Sequence, residues 1–178
     1  STGNPKGVMV TQRNIIRLVK NTNIIDFTEL KVLQSSALAF DVSTYEIWGS
    51  LLNGGCLCLI DKDDLLDCKK LKQIIKDKKI DTSFFTVALF NQLTADDISV
   101  FDDLSSVMVG GDKLSESHVN RLREHNKKIR IINGYGPTEN ASFTTTYDIE
   151  KVEEKIFIGK PISNTQVYIM DGMKLCGI

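Results

Sequence analysis

The residues best suited to chemistry fall in four short segments, each pairing backbone freedom or a hydroxyl with a charged group. Ser1-Thr2-Gly3-Asn4-Pro5-Lys6-Gly7 combines two hydroxyls, two glycines, a proline and a lysine ahead of an apolar run. Glycine lets backbone N–H groups close on an anion, hydroxyls donate to phosphate oxygens, and lysine supplies positive charge. The GxxxxGK[ST] spacing of a Walker A loop is absent. On chemistry alone the segment is either a phosphate-contacting loop or a plain surface turn.

The second segment, Asn133-Gly134-Tyr135-Gly136-Pro137-Thr138-Glu139, follows an apolar strand-like run at 129–132. A loop at the carboxyl end of a strand in an α/β sheet sits where ligands bind. Its residue types suit a nucleotide: a Tyr face for a base, an amide for base edges, a hydroxyl for phosphate and a carboxylate for Mg²⁺. Phe40-Asp41-Val42-Ser43 also follows a strand-like run. There Asp41 either caps the next helix or meets a cationic ligand group. Gly110-Gly111-Asp112 follows a third run. Paired glycines admit a flat ligand against backbone, or make a tight turn.

The elements that must position these segments alternate between strand-like runs and helical periods. Strands are expected at 7–10, 31–37, 56–60, Thr82–Thr86, 107–109 and 129–132. Thr11 can cap a helix with Ile15, Leu18 and Val19 on one face. Asp41 or Ser43 can cap a helix that runs to Leu52 and ends at Gly54-Gly55. Leu71, Ile74 and Ile75 form a stripe under a solvated lysine face, and Ser115 can cap a helix carrying Val119 and Leu122. This alternation predicts an α/β fold, a mostly parallel twisted sheet with helices on both faces. Toward the end, 142–147 and 166–170 read as strands with no helix between them.

Composition narrows the partners. Twenty-two Lys and Arg against 23 Asp and Glu give no reason to propose nucleic acid or a membrane surface. Cys56, Cys58, Cys68 and Cys176 form no CxxC pair, which argues against zinc. Without a signal segment or a bilayer-spanning run, they read as buried, reduced thiols of a cytoplasmic protein. His118 and His125 share a helix face without an evident acidic partner and read as structural, and Tyr45 and Trp48 both read as inward-facing. Ser1 stands inside a loop without an initiator Met and Ile178 stops soon after the Asp171-Gly172 turn, so residues 1–178 read as one partial domain truncated at both ends.

In this order, STGNPKG, FDVSTYEIW, GGD and NGYGPTE resemble the adenylation domains of non-ribosomal peptide synthetases, within the adenylate-forming, AMP-binding superfamily of acyl and aryl ligases. The resemblance covers essentially the whole chain and implies one subdomain of the adenylate-forming N-terminal domain. It also implies MgATP-dependent activation of an amino acid to an aminoacyl-adenylate and pyrophosphate. Transfer to the phosphopantetheine thiol of a carrier domain follows, in an antibiotic-type assembly line that also holds condensation domains.

By the same resemblance, Thr2, Gly3 and Lys6 contact the ATP phosphates. Asn133 and the backbone around Gly111 and Gly134 frame the adenine, with Tyr135 stacked on it and Asp112 and Gly136 completing the nucleotide set. Thr138 touches the α-phosphate and Glu139 holds Mg²⁺, so Lys6, Thr138 and Glu139 carry the catalytic roles. Asp41 pairs with the substrate α-ammonium, and Val42, Tyr45, Phe84, Met108, Gly110, Gly134, Ser142 and Phe143 line the side-chain pocket. That lining carries no charge and its aromatics beside a Met narrow it, which implies an aliphatic, valine-like substrate.

Two positions depart from the family habit: Gln12 stands where His is frequent and Asp112 where Glu is commoner. The start of the phosphate loop, the ribose-binding Asp, the hinge and the C-terminal domain with its catalytic Lys are outside the sequence. The chain alone is therefore expected not to form an adenylate at a useful rate. The alternatives are a D-alanine or acyl/aryl carrier-protein ligase of the same superfamily and a non-catalytic nucleotide-binding module.

Overall fold

Short, mostly apolar runs, some rich in β-branched and aromatic residues as at Thr82–Thr86 and Thr145–Asp148, form the sheet in the computed structural model, which describes residues 4 and 6–176. The strands are β1 (Lys31–Gln34), β2 (Cys56–Leu59), β3 (Thr82–Thr86), β4 (Ser106–Gly110), β5 (Arg130–Tyr135), β6 (Thr145–Asp148) and β7 (Lys160–Pro161). They lie in the order β2-β1-β3-β4-β5-β6-β7. The first five are parallel, and β6 and β7 add antiparallel at one side. A separate hairpin pairs β8 (Met170–Asp171) with β9 (Lys174–Leu175).

The helices are α1 (Gln12–Val19), α2 (Val42–Leu51), α3 (Lys62–Leu66), α4 (Cys68–Lys78), α5 (Val87–Asp96) and α6 (Glu116–His125). Register sorts them onto two faces. Phe84, Met108 and Ile132 lie side by side, and so, one residue on, do Phe85, Val109 and Asn133. The first set packs with Leu18 and Val19 of α1 and Tyr45 of α2. Opposite, Phe85 and Val109 meet Leu71 and Ile75 of α4, Phe90 and Leu93 of α5, and Val119 and Leu122 of α6. Each such side chain, fully buried, contributes about 1.5–3 kcal/mol. The expected mostly parallel sheet with helices on both faces is the observed one.

From β1 the chain steps outward to β2, then returns past β1 to β3. The α2 connection covers one face and the α3–α4 connection the other. The carboxyl ends of β1 and β3 therefore flank a topological switch point, where open α/β sheets leave a crevice.

Local signals account for the element ends. Thr11 and Asn14 form a reciprocal capping box at α1, and Asp67 and Thr86 cap α4 and α5 through their side chains. Gly54 takes φ +74 in the turn from α2 to β2. Helix α5 has no counterpart in the elements expected above, although Val87, Phe90 and Leu93 keep its apolar spacing.

Several expectations are corrected. Residues 7–10 pair with no strand among the described residues, and Val8, Met9 and Val10 are exposed. Only Lys31–Gln34 of 31–37 is a strand, and 142–147 becomes one at Thr145, because Ala141 and Ser142 take left-handed φ of 51 and 70. Of 166–170, only Met170 is paired, and Val167, Tyr168 and Ile169 face solvent. All four cysteines are free, but Cys56, on the edge strand, and Cys176 are exposed. Trp48 is exposed while Tyr45 is buried, because α2 turns only one of them to the sheet. His125 does have an acidic partner: its Nε2 lies 2.7 Å from Asp102 Oδ1. No described helix is long and apolar enough to cross a membrane.

Candidate functional site

A cleft of about 900 Å³ opens at the switch point. Its walls come from the carboxyl ends of β1, β3 and β4 and from the N-termini of α2 and α5, with Ser36, Asp41, Phe84, Thr86, Gly110 and Asp112 among the lining residues. Helix N-termini present unpaired N–H groups and partial positive charge, so this geometry suits an anionic or carboxylate-bearing ligand.

Asp41 occupies the N-cap position of α2, yet its side chain makes no capping hydrogen bond. The ion pairs among the described residues engage Asp64, Glu116, Asp102 and Asp148, and none includes Asp41. Of its two readings, the helix cap is removed. A carboxylate at the cleft is left without a protein partner among the described residues. Val42, Phe84 and Gly110 line the same cleft, as do Gly111 and Asp112. Gly111 has φ +91 and open space where a side chain would stand, so ligand atoms can approach its backbone.

Beneath this rim lies Glu46, fully buried and absent from the residues singled out by sequence. Its Oε1 accepts from Ser35 N at 3.1 Å, Ser35 Oγ at 2.9 Å, Ser36 N at 3.2 Å and Ser36 Oγ at 3.1 Å. Ser35 Oγ also bonds to the Phe84 carbonyl. Burial, only partly offset by these donors, pushes the Glu46 carboxyl up to about 7. The signal was visible as a lone Glu in the run Tyr45-Glu46-Ile47-Trp48. It ties the loop after β1 to α2, holding two cleft-lining serines against the helix that carries Asp41.

One strand further along, the remaining predicted substrate positions come together in a packed cluster behind the cleft wall formed by Phe84. Tyr45, Phe84, Met108 and Phe143 are buried in one cluster. Phe143 meets Tyr45 edge-on with ring centroids 5.2 Å apart, and Phe84 at 6.0 Å. Gly134 makes room for that ring: a Cβ there would lie 2.7 Å from Phe143 Cε1 and 3.2 Å from Met108 Sδ. Gly110 is its register neighbour, and a Cβ on Gly110 would run into the Gly134 carbonyl. Ser142 is buried beside Phe143 with its Oγ unpartnered among the described residues.

The predicted nucleotide residues are distributed around this cluster. Asn133 points to the opposite face of β5 from Gly134, and its Nδ2 donates to the Phe157 carbonyl at 2.8 Å. Tyr135 is exposed, as are Thr138 and Glu139 on the short 3-10 turn Thr138–Asn140. Gly136 packs so closely on the backbone of Ser142 and Phe143 that no side chain fits there. Lys6 is exposed, while Thr2 and Gly3 lie outside the described residues. Among the described residues no group of three or more His, Cys, Asp or Glu converges as a metal site. Mg²⁺ is usually held by one or two carboxylates together with substrate phosphates, a role a single exposed Glu139 fits.

Comparison with known proteins places this geometry. Residues 1–176 match the sequence family described as AMP-binding enzyme. The chain is 48% identical over 174 residues to tyrocidine synthase 3 of Brevibacillus parabrevis, covering 97% of this chain and 3% of that protein. It is 47% identical over 173 residues to gramicidin S synthase 2 of Brevibacillus brevis, covering 96% and 4%. Among solved structures, PA1221, a non-ribosomal peptide synthetase protein containing adenylation and carrier (PCP) domains, superposes with a TM-score of 0.91 at 34% identity, over 100% of this chain and 37% of that one. The N-terminal subdomain of Klebsiella oxytoca NpsA, in complex with 3-hydroxybenzoyl-AMSN, superposes with a TM-score of 0.89 at 27% identity, over 99% and 46%.

Proposed function

We propose, from the premise that this chain belongs to the AMP-binding enzyme family, that it forms the amino-acid- and nucleotide-binding part of an adenylation domain in a longer peptide synthetase. The chain spans only 3% and 4% of the two curated relatives named above, so the reaction belongs to the larger protein. The observation that carries the reading is Asp41, a carboxylate without a protein partner among the described residues at the mouth of the switch-point cleft. An α-ammonium satisfies it, and a fatty or aryl acid does not.

In this reading the substrate lies with its ammonium on Asp41 and its carboxylate toward the glycine turn after β4. Attack of that carboxylate on the α-phosphorus of ATP forms the acyl–phosphate bond and releases pyrophosphate. The chemistry needs placement and charge neutralisation more than covalent help from the protein. Thr138 donates to the α-phosphate, Lys6 meets phosphate oxygens with Thr2 and Gly3, and Tyr135 offers an exposed ring to the base. With Asn133 Nδ2 already committed to Phe157, its Oδ1 is the atom left to accept from an exocyclic amino group. Glu139 would hold Mg²⁺, which supplies positive charge against the phosphates when bound.

The aminoacyl group then passes to the phosphopantetheine thiol of a carrier domain, beside condensation domains of the same assembly line. Val42, Tyr45, Phe84, Met108, Gly110, Gly134, Ser142 and Phe143 offer no charge and little room, which favours a small aliphatic side chain such as that of valine. Residues 1–178 in isolation are proposed to be inactive. Titration calorimetry of the parent protein with a valyl sulfamoyl-adenosine tests the reading. Tight binding, lost in Asp41→Ala, supports it; no binding by the parent counts for a non-catalytic module.

A further inference from the structure

Arg17, on α1, lies outside every segment assigned a role above, yet its guanidinium closes on the distant loop that presents Ser142 and Phe143. Nη2 donates to the Asn140 carbonyl at 2.6 Å, to that of Ala141 at 3.5 Å and to that of Phe143 at 3.4 Å. Nη1 donates to Thr165 Oγ1 at 2.6 Å and to the Phe143 carbonyl at 3.4 Å. No carboxylate pairs with it among the described residues. Its partners are the carbonyls of one turn and a single hydroxyl, so its charge is spent on holding backbone.

That turn requires holding. Ala141 and Ser142 are consecutive residues with side chains in the left-handed region, at φ 51 and 70. Such a pair persists only where its surroundings over-determine it. Arg17 grips the carbonyls before, within and after the pair, while Gly136, just past β5, presses on the same backbone. The result fixes Phe143 against Tyr45 and Gly134, and buries the Ser142 hydroxyl beside it.

We propose that Arg17 is a specificity-determining positioning residue: it sets the shape of the amino-acid side-chain pocket by locking the 140–143 turn, without touching the substrate. The proposal rests on the reading that Ser142 and Phe143 face the substrate side chain. A planar fork that reaches several carbonyls cannot be replaced by the point charge of lysine.

The test is amino-acid-dependent ATP–pyrophosphate exchange by the parent protein across a panel of aliphatic and aromatic amino acids. In Arg17→Lys the KM for the preferred amino acid is expected to rise about tenfold or more, the loss of a charge-assisted hydrogen bond. Preference over the next-best amino acid falls with it, and the KM for ATP stays within about twofold. Thr165→Val, which removes only the hydroxyl partner, gives a smaller change in the same direction and covers the case in which Arg17→Lys fails to fold. Ethylguanidinium restores part of the lost preference in Arg17→Ala. Unaltered amino-acid preference in Arg17→Lys and Thr165→Val overturns this inference alone, as does a parallel rise of both KM values. Absence of exchange in the wild-type parent overturns the inference together with the activation reading beneath it.

Discussion

The two ends of the candidate site, one strand apart, are built in opposite ways. At β1, β3 and β4 the sheet ends in an open cleft edged by helix N-termini and by Asp41, which makes no capping bond or ion pair among the described residues. At β5 the same face is filled by Phe143, packed on Tyr45, Phe84 and the space vacated by Gly134. The difference is between recognising charge and recognising shape. A carboxylate at the mouth of an open cleft is met by water or by a cationic group. An apolar site discriminates by contact, so the volume that its own side chains fill decides what fits beside them. On the reading proposed above, side-chain selection falls to this aromatic cluster, and the turn gripped by Arg17 sets where Phe143 lies.

The largest effect expected from breaking the comparison falls on the open end. Asp41→Ala should lower kcat/KM for the amino acid by about 10²–10³, the cost of leaving a desolvated ammonium unpaired, with KM for ATP little changed in exchange assays. Glu46 beneath the rim comes next. Its carboxyl is held near 7 in the folded protein against an ordinary value of 4.5. The native state therefore binds more protons than the unfolded chain between those pH values. The stability it contributes is present below about 4.5 and is lost as pH rises through 7, amounting to roughly 3 kcal/mol. Urea unfolding at pH 5 and pH 8 should show that loss in the wild type and its removal in Glu46→Gln.

At the closed end, Gly134→Ala should destabilise by about 1–3 kcal/mol, since the added methyl meets Phe143 and Met108 and the core must shift. Thermal unfolding measures this, and a larger relative loss for bulkier amino acids in the same variant sharpens the contrast between shape and charge. The smallest effect is reserved for the exposed Tyr135: its replacement by Ala should raise KM for ATP about tenfold, as expected for a lost base–aromatic stack, and leave amino-acid preference unchanged.

What could be read from sequence follows the same division. Periodicity placed the central strands and the helices under Leu18, Leu71 and Val119, because that signal is local; the expected Thr11 cap forms, whereas Ser115 takes the N-cap position without a side-chain cap bond. The alternation of Phe84, Met108, Gly110 and Gly134 onto one face was implicit in their spacing, and the sheet register brings them together. The readings that failed depend on partners distant in the chain. Residues 7–10 look like a strand but find none to pair with among the described residues, and Trp48 looks like Tyr45 until the sheet picks one side of α2. His125 looks unpartnered until Asp102 arrives across the fold. Glu46 and Arg17 went unnoticed because each spends its charge on groups of another segment, which spacing does not reveal.

Everything proposed for the open end depends on Asp41 as the anchor for an amino group, and one measurement addresses it most directly: ATP–pyrophosphate exchange by the parent protein with its preferred amino acid and with the des-amino acid of identical side chain. Exchange with the amino acid and a loss of at least about a hundredfold with the des-amino analogue in the wild type, narrowed to little difference in Asp41→Ala, is the predicted result. Equal exchange with both compounds in the wild type would contradict it.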